Sequence, residues 1–380
     1  MRGDSSKRLW SRELRDLWKQ RAIALKTSYF FPHMHYERAF SKFCAVTDTY
    51  TQGELLLLSG PTRVGKTTLL EDFVRAEVGL RRDEDLSLAR KKSPHLVYAE
   101  VRFPHHKPYR PRLLYVDSLE FLGDGIAGHR FSVQDLSQRF RHIGTGATGS
   151  QVNDSQDVLR YQLERRFKAH GILYWLIDEA QDMFVGARAD TIDEMLSLIK
   201  SIANLSSTLP VMSGTYDLAC AYDYNAQWNG RVTIVHFERY HPEIRDELQE
   251  WVNIVESFRV ALGDAMEFNI LDVIEEICVG AAGISGELTA WLKRSFRLAL
   301  ADRCDRVSKE QFLAAQHNDR QRKRLYREIN SGEKKIRGLL EQQELRKRRR
   351  QHIGSAGEPH TPRKHLNRRK SRRYPTGGLP

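Results

Sequence analysis

The chain has 380 residues, 40 % hydrophobic and 29 % charged, enough for one large or two ordinary domains with cores of their own. No apolar run approaches the ~18 residues that span a bilayer. The opening MRGDSSKRLWSRELRDLWKQ has no apolar heart of a secretion signal, so a cytoplasmic chain with no membrane partner is expected. The net charge of +12 is concentrated at one end: twelve Lys or Arg lie between Arg346 and Arg373 against the single acid Glu358, leaving the remainder near neutrality.

Four scattered cysteines, Cys44, Cys220, Cys278 and Cys304, have neither metal-ligand spacing nor the density of a disulfide framework. Buried free thiols are expected.

Residues 1–50 combine a helical repeat, SRELRDLWKQRAIAL, with the aromatic SYFFPHMHYERAF, and read as an N-terminal extension packed on the core. A strand at Glu54–Ser59, a Gly-rich loop and a helix over about Lys66–Val78 follow. HLVYAEVRF (95–103) is the next strand, RLLYVDSLEFLGDGIAG (112–128) a helix, and HIGTGATGSQVND (142–154) a flexible loop. Then come a helix over about Ser155–His170, the strand ILYWLI, a helix near Thr191–Leu205 and the strand LPVMSG. Strands alternating with helices predict a mostly parallel sheet covered on both faces. From Pro242 the pattern is helical. The expected organisation is an extension (1–50), an α/β nucleotide-binding core (51–241), a helical lid (242–330) and a basic, disordered tail (331–380).

GPTRVGKT, Gly60–Thr67, satisfies every fixed position of G-x-x-x-x-G-K-[ST]. Gly60, Pro61, Thr62, Arg63, Val64, Gly65, Lys66, Thr67 and Thr68 are therefore assigned to nucleotide binding. The glycines let backbone amides turn toward phosphate oxygens, Lys66 meets the β/γ-phosphates, and Thr67 offers its hydroxyl to Mg²⁺. ILYWLIDEAQDM ends an apolar strand in Asp178 and Glu179, at the strand edge where ligands of open α/β sheets bind. Asp178 would hold Mg²⁺ through water, and Glu179 would polarise the attacking water. A second catalytic acid and the lack of a substrate-kinase lid signature favour hydrolysis of a nucleoside triphosphate over phosphoryl transfer to a metabolite.

Two further residues have open roles. Thr215, at the end of LPVMSGT, either meets the γ-phosphate or satisfies its own turn. Arg231, ahead of the strand VTIVHF, is either plain surface or an arginine finger reaching a neighbouring subunit's nucleotide. RFPHHKPYRPR (102–112) carries Arg102, Lys107, Arg110 and Arg112, a candidate DNA-binding loop or a solvated one.

In this order the motifs resemble an AAA+ ATPase and, more narrowly, the transposon-encoded target-selection regulators of the TnsC/TniB type. SGPTRVGKTTLL (59–70), LLYVDSLEFLGDGI (113–126), LIDEAQDM (176–183), LPVMSGTYDLACAYDYNAQWNGRVTIVHFERY (209–240) and the lid's GISGELTAWLKRSFRLAL (283–300) carry the likeness. The pattern departs from the family at Arg231-Val232, where an aromatic usually follows the arginine. It departs again at GISGEL, which has no sensor arginine; Lys293 and Arg294 come a turn or two later.

The resemblance implies ATP and Mg²⁺ as cofactors and head-to-tail homo-oligomers, ring or filament, around double-stranded DNA. It also implies a TniQ-type targeting protein and transposase subunits as partners, with hydrolysis driving disassembly. The alternative is a signalling or initiator-type AAA+ switch acting mainly through protein partners. For the basic tail, DNA phosphates or an acidic partner surface are the two candidate ligands.

Overall fold

The computed structural model describes residues 4–27, 32–89, 95–103, 109, 111–123, 155–218 and 231–355. Five strands, β1 Leu55–Ser59, β2 Leu96–Glu100, β3 Tyr174–Asp178, β4 Leu209–Gly214 and β5 Val232–His236, form one parallel sheet in the order β2-β3-β4-β1-β5. Every pairing is parallel, with Ser59 opposite Gly214 and Glu100 opposite Asp178. The C-terminal ends of β1, β3 and β4 therefore open onto one edge. Because β1, β3 and β4 are buried along their whole length, they read in sequence as unbroken apolar runs rather than alternating ones.

Successive side chains of a strand point to opposite faces, and β3 shows which helices cover which face. Tyr174 meets Phe73 of α3 (Lys66–Val78), which in turn packs on Phe43 of α2 (Met34–Thr49). Its neighbour Trp175 packs edge-on against Phe167 of α5 (Ser155–His170). Trp175 also donates its indole N–H to Ser118 of α4 (Arg112–Phe121) at 3.0 Å. A further helix, α6 (Ala189–Ser206), packs beside α5.

A second buried cluster is built from α7 (Arg245–Leu262), α8 (Ile274–Ala281), α9 (Ser285–Ala301) and α10 (Lys309–Ala314). At its centre Trp291 stacks on Phe312 with centroids 4.5 Å apart. The extension divides between the two cores. Tyr36, Ala39 and Phe43 of α2 belong to the α/β core, whereas Leu14, Trp18 and Leu25 of α1 (Asp4–Thr27) belong to the helical cluster. Cys44, Cys278 and Cys304 are free and only half-buried, against the expectation of burial; Cys220 lies outside the described residues.

The tail boundary needs correction. Residues 331–355, expected to be disordered, belong to a long helix, α11 (Asp319–Ser355). Ile329, Glu333, Ile336 and Leu339 are buried, and Ile336 and Leu339 join the α/β core. Apolar residues at helical spacing outweigh the many charges, because the charges lie on the other face. The chain divides into two compact units, residues 1–340 and 341–380. In the second, residues 341–355 are helical and 356–380 lie outside the described set, as does the expected loop at 142–154.

Candidate nucleotide site

Between Ser59 and Lys66 the chain leaves the sheet and turns into α3. Gly60 passes so close to the Phe237 carbonyl that a Cβ would sit 2.4 Å from its oxygen. Gly65 has φ +117, a conformation other residues rarely adopt. The loop is thus curled by its glycines and braced by the end of β5, and the free amides of the first turn of α3 face the concavity.

Lys66 is buried at the mouth of this loop and donates its ammonium to the Gly60 carbonyl at 3.1 Å and the Pro61 carbonyl at 2.8 Å. Burial pushes its pKa down to about 8, against the opposing pull of the Glu179, Asp178 and Glu328 carboxylates. A buried ammonium hydrogen-bonded to neutral carbonyl oxygens is suited to an anionic ligand.

The Thr67 hydroxyl donates to Asp178 Oδ2 at 2.7 Å. The Tyr98 hydroxyl donates to the same oxygen at 3.3 Å, and the Glu179 backbone N–H to Oδ1 at 3.0 Å. Three donors thus fix a carboxylate that is 2 % exposed. Tyr98 stays neutral, its pKa raised by burial and by Asp178. A hydroxyl and a carboxylate converging beside a phosphate loop form a hard, oxygen-only set that fits hydrated Mg²⁺.

Glu179 has a left-handed backbone, φ +51, which turns the chain sharply off β3. Its carboxylate accepts the Gln181 side-chain amide at 2.6 Å, and Gln181 Oε1 accepts the Thr215 backbone N–H at 3.1 Å. Gly214 leaves room for this bridge: a Cβ there would lie 2.3 Å from Gln181 Oε1. The Thr215 hydroxyl is buried and has no hydrogen-bond partner among the described residues. Lys66, Thr67, Asp178, Glu179 and Thr215 are all carried to one sheet edge, as their positions in sequence lead one to expect.

Arg231 is not. It precedes β5, its carbonyl accepts Leu55 N–H at 2.9 Å, and Val232 lies opposite Leu55. It therefore sits at the far end of β1, about 13 Å of strand away from the loop, with an exposed side chain. Arg102 is exposed and paired with Asp117 at 2.9 Å, and Arg112 is exposed at the start of α4. Lys107 and Arg110 lie outside the described residues.

Three features of the site escape a reading of motifs. Gln181 was visible only as a letter within IDEAQ. On the lid side, Arg63 (φ +65) donates to both carboxylate oxygens of buried Glu287, at 3.0 and 3.2 Å. Gly286 abuts the phosphate loop so closely that a Cβ would be 2.2 Å from the Arg63 carbonyl oxygen. Lys293 and Arg294 join Arg63, Thr289 and Arg297 around a cleft of about 420 Å³. Gly332 of α11 lies against the Tyr216 ring, and buried Glu333 accepts Arg239 Nε at 2.8 Å.

Residues 49–219 match the family model described as AAA domain. The body built on the five-stranded sheet has the P-loop AAA+ fold. No curated protein matches the chain. The ADPNP–ADP complexes of the Aeropyrum pernix ORC2 protein are similar in structure at 14 % identity and TM-score 0.47, over 77 % of this chain and 70 % of that one. A Walker-type ATPase of Pyrococcus abyssi is similar at 18 % identity and TM-score 0.42, over 83 % and 77 %. Domain III of the Thermotoga maritima replication initiation protein DnaA is similar at 11 % identity and TM-score 0.37, over 77 % and 94 %. No helix among the described residues is long and apolar enough to cross a membrane.

Proposed function

We propose that this chain is a Mg²⁺-dependent ATPase that regulates DNA transposition in the manner of the TnsC/TniB-type proteins it resembles. It oligomerises on target DNA with ATP bound, links a targeting protein to the transposase, and disassembles on hydrolysis. The observation that supports this best is the hydrogen-bonded chain Glu179–Gln181–Thr215. It ties the candidate base to the end of the neighbouring strand, so that a change at the terminal phosphate is felt at both.

In hydrolysis Glu179 takes a proton from the attacking water as its oxygen bonds to the γ-phosphorus and the bond to the β–γ bridging oxygen breaks. Thr67 and Asp178 would hold Mg²⁺, which when bound would neutralise charge on the β- and γ-phosphates. Lys66 supplies a second positive charge, and Thr215 a hydroxyl for the terminal phosphate.

Arg231, remote from its own loop, has a role in hydrolysis only if it serves an adjacent subunit, which is what a head-to-tail assembly provides. Arg102 and Arg112, with Lys107 and Arg110 in the same stretch, are proposed DNA contacts.

The test is Glu179→Gln protein mixed with duplex DNA and ATP, followed by sedimentation and electron microscopy. Long-lived DNA-bound oligomers that need ATP, and that the wild type loses as it hydrolyses, are expected. ATP turnover with no assembly on DNA would instead favour a switch working through protein partners. Titrating Arg231→Ala into Glu179→Gln subunits adds a second readout: action in trans gives turnover that depends non-linearly on their ratio.

A further inference from the structure

We infer that the solvent face of α11 is a phosphate-binding surface for duplex DNA; this rests on the DNA-binding reading above and assigns it a surface. From residue 320 to 337, six exposed residues are cationic, Arg320, Lys323, Arg324, Arg327, Lys334 and Arg337, and one, Glu328, is acidic. None of the six cations forms an ion pair among the described residues.

Their placement is more than abundance. At 3.6 residues per turn, Arg320, Lys323, Arg324, Arg327 and Lys334 fall within an arc of about 100°, along about 21 Å of helix. Ile329 and Ile336, both 1 % exposed, lie on the opposite side. One face enters the protein and the other presents a line of positive charge.

The helix is also held in place. Glu333 is clamped by Arg239, Gly332 is pressed on the Tyr216 ring, and Ile336 and Leu339 enter the α/β core. A cationic line on a docked helix loses little conformational freedom when it meets a polyanion, unlike the same residues on a free arm. Its length corresponds to about six base pairs of duplex rise, within which each strand offers several phosphates. Unpaired, same-sign charge of this length is complementary to a nucleic-acid backbone and carries no means of reading bases.

The test uses the full chain with Arg320, Lys323, Arg324, Arg327 and Lys334 each changed to Gln, and two 30-base-pair duplexes of unrelated sequence. Binding is followed by anisotropy between 50 and 200 mM salt. If about three of these cations meet phosphates, the slope of log affinity against log salt falls by about 2.7. Affinity at 100 mM salt should drop at least tenfold, equally on both duplexes, while melting temperature and ATP binding stay unchanged. Wild-type binding with an unaltered slope in the variant overturns this surface and leaves the DNA reading standing. A wild-type chain that binds neither duplex overturns both.

Discussion

Gln181 donates its side-chain amide to Glu179 at 2.6 Å while accepting the Thr215 backbone N–H at 3.1 Å, so one glutamine orients the candidate base and closes the end of β4. Removing it leaves Glu179 without its orienting donor and a backbone N–H without its acceptor. Gln181→Ala is expected to lower kcat about tenfold or more, since an unpositioned base forfeits much of the usual general-base contribution. ATP affinity, set by the phosphate loop, should change less than threefold. Equal losses in kcat and affinity would show that Gln181 supports the loop as a whole.

The lowered pKa of Lys66, about 8, makes ATP binding sensitive to pH. A bound triphosphate favours the ammonium and raises that pKa, so binding takes up a proton wherever the free site is already neutral. Below pH 8 both states are charged and affinity is level. Above pH 8 it should fall, approaching tenfold per pH unit. Titrations of ATP affinity between pH 7 and 9.5 check this, with Lys66→Arg expected to remove the dependence. A flat profile to pH 9.5 would show that the free site keeps its charge.

Much of this site is legible in sequence because its parts are local. The phosphate loop is fixed by glycine conformations and one lysine, and the buried strands by unbroken apolar runs. α3 starts and stops where the GKT triplet and the αL glycine, Gly79, require. The Gln181 bridge is different in kind, since it exists only once β3 and β4 pair side by side in the sheet and bring Gln181 to the Thr215 backbone, 34 residues away. α11 was hidden by averaging: Arg and Lys dominate its composition, and the few apolar residues that dock it carry weight only by their spacing. The link from Arg63 to Glu287 spans 224 positions, and no local pattern announces it.

Arg239 and Glu333 form a buried ion pair, their side chains 7 % and 10 % exposed, that pins α11 beside the sheet edge. The Arg239 guanidinium also donates to the Tyr240 carbonyl at 3.3 Å. Arg239→Met leaves the Glu333 carboxylate buried with no full counter-charge, since His241 Nε2 is 3.8 Å away and charged only when protonated. A loss of about 3 kcal/mol or more is expected in denaturant unfolding. The double variant Arg239→Met/Glu333→Leu should recover at least half of it, because no charge is left buried. A single-variant loss below about 1 kcal/mol would mean that the pair is wet.

Among the described residues, the start of α9 meets the phosphate loop at a steric and an electrostatic contact of different strength, and their separation predicts how the expected lid acts. One is steric: Gly286 lies so close to the Arg63 carbonyl that a Cβ would come within 2.2 Å of it. The other is electrostatic: Arg63, its side chain 49 % exposed, pairs with Glu287 at 3.0 Å. Solvent screens the half-exposed Arg63 side of the pair, and His317 Nε2, 3.3 Å away, supports the buried Glu287 independently. The steric contact has no such slack, because backbone oxygen cannot yield without moving the loop or the start of α9. Gly286→Ala is therefore expected to weaken ATP binding about tenfold or more by displacing the loop that cradles the phosphates. Glu287→Gln, which keeps the shape and removes the charge, should weaken it less than threefold. Isothermal titration of both variants with ATP decides the order. If Glu287→Gln proved the more damaging, the ion pair rather than close backbone packing would be what couples lid to nucleotide.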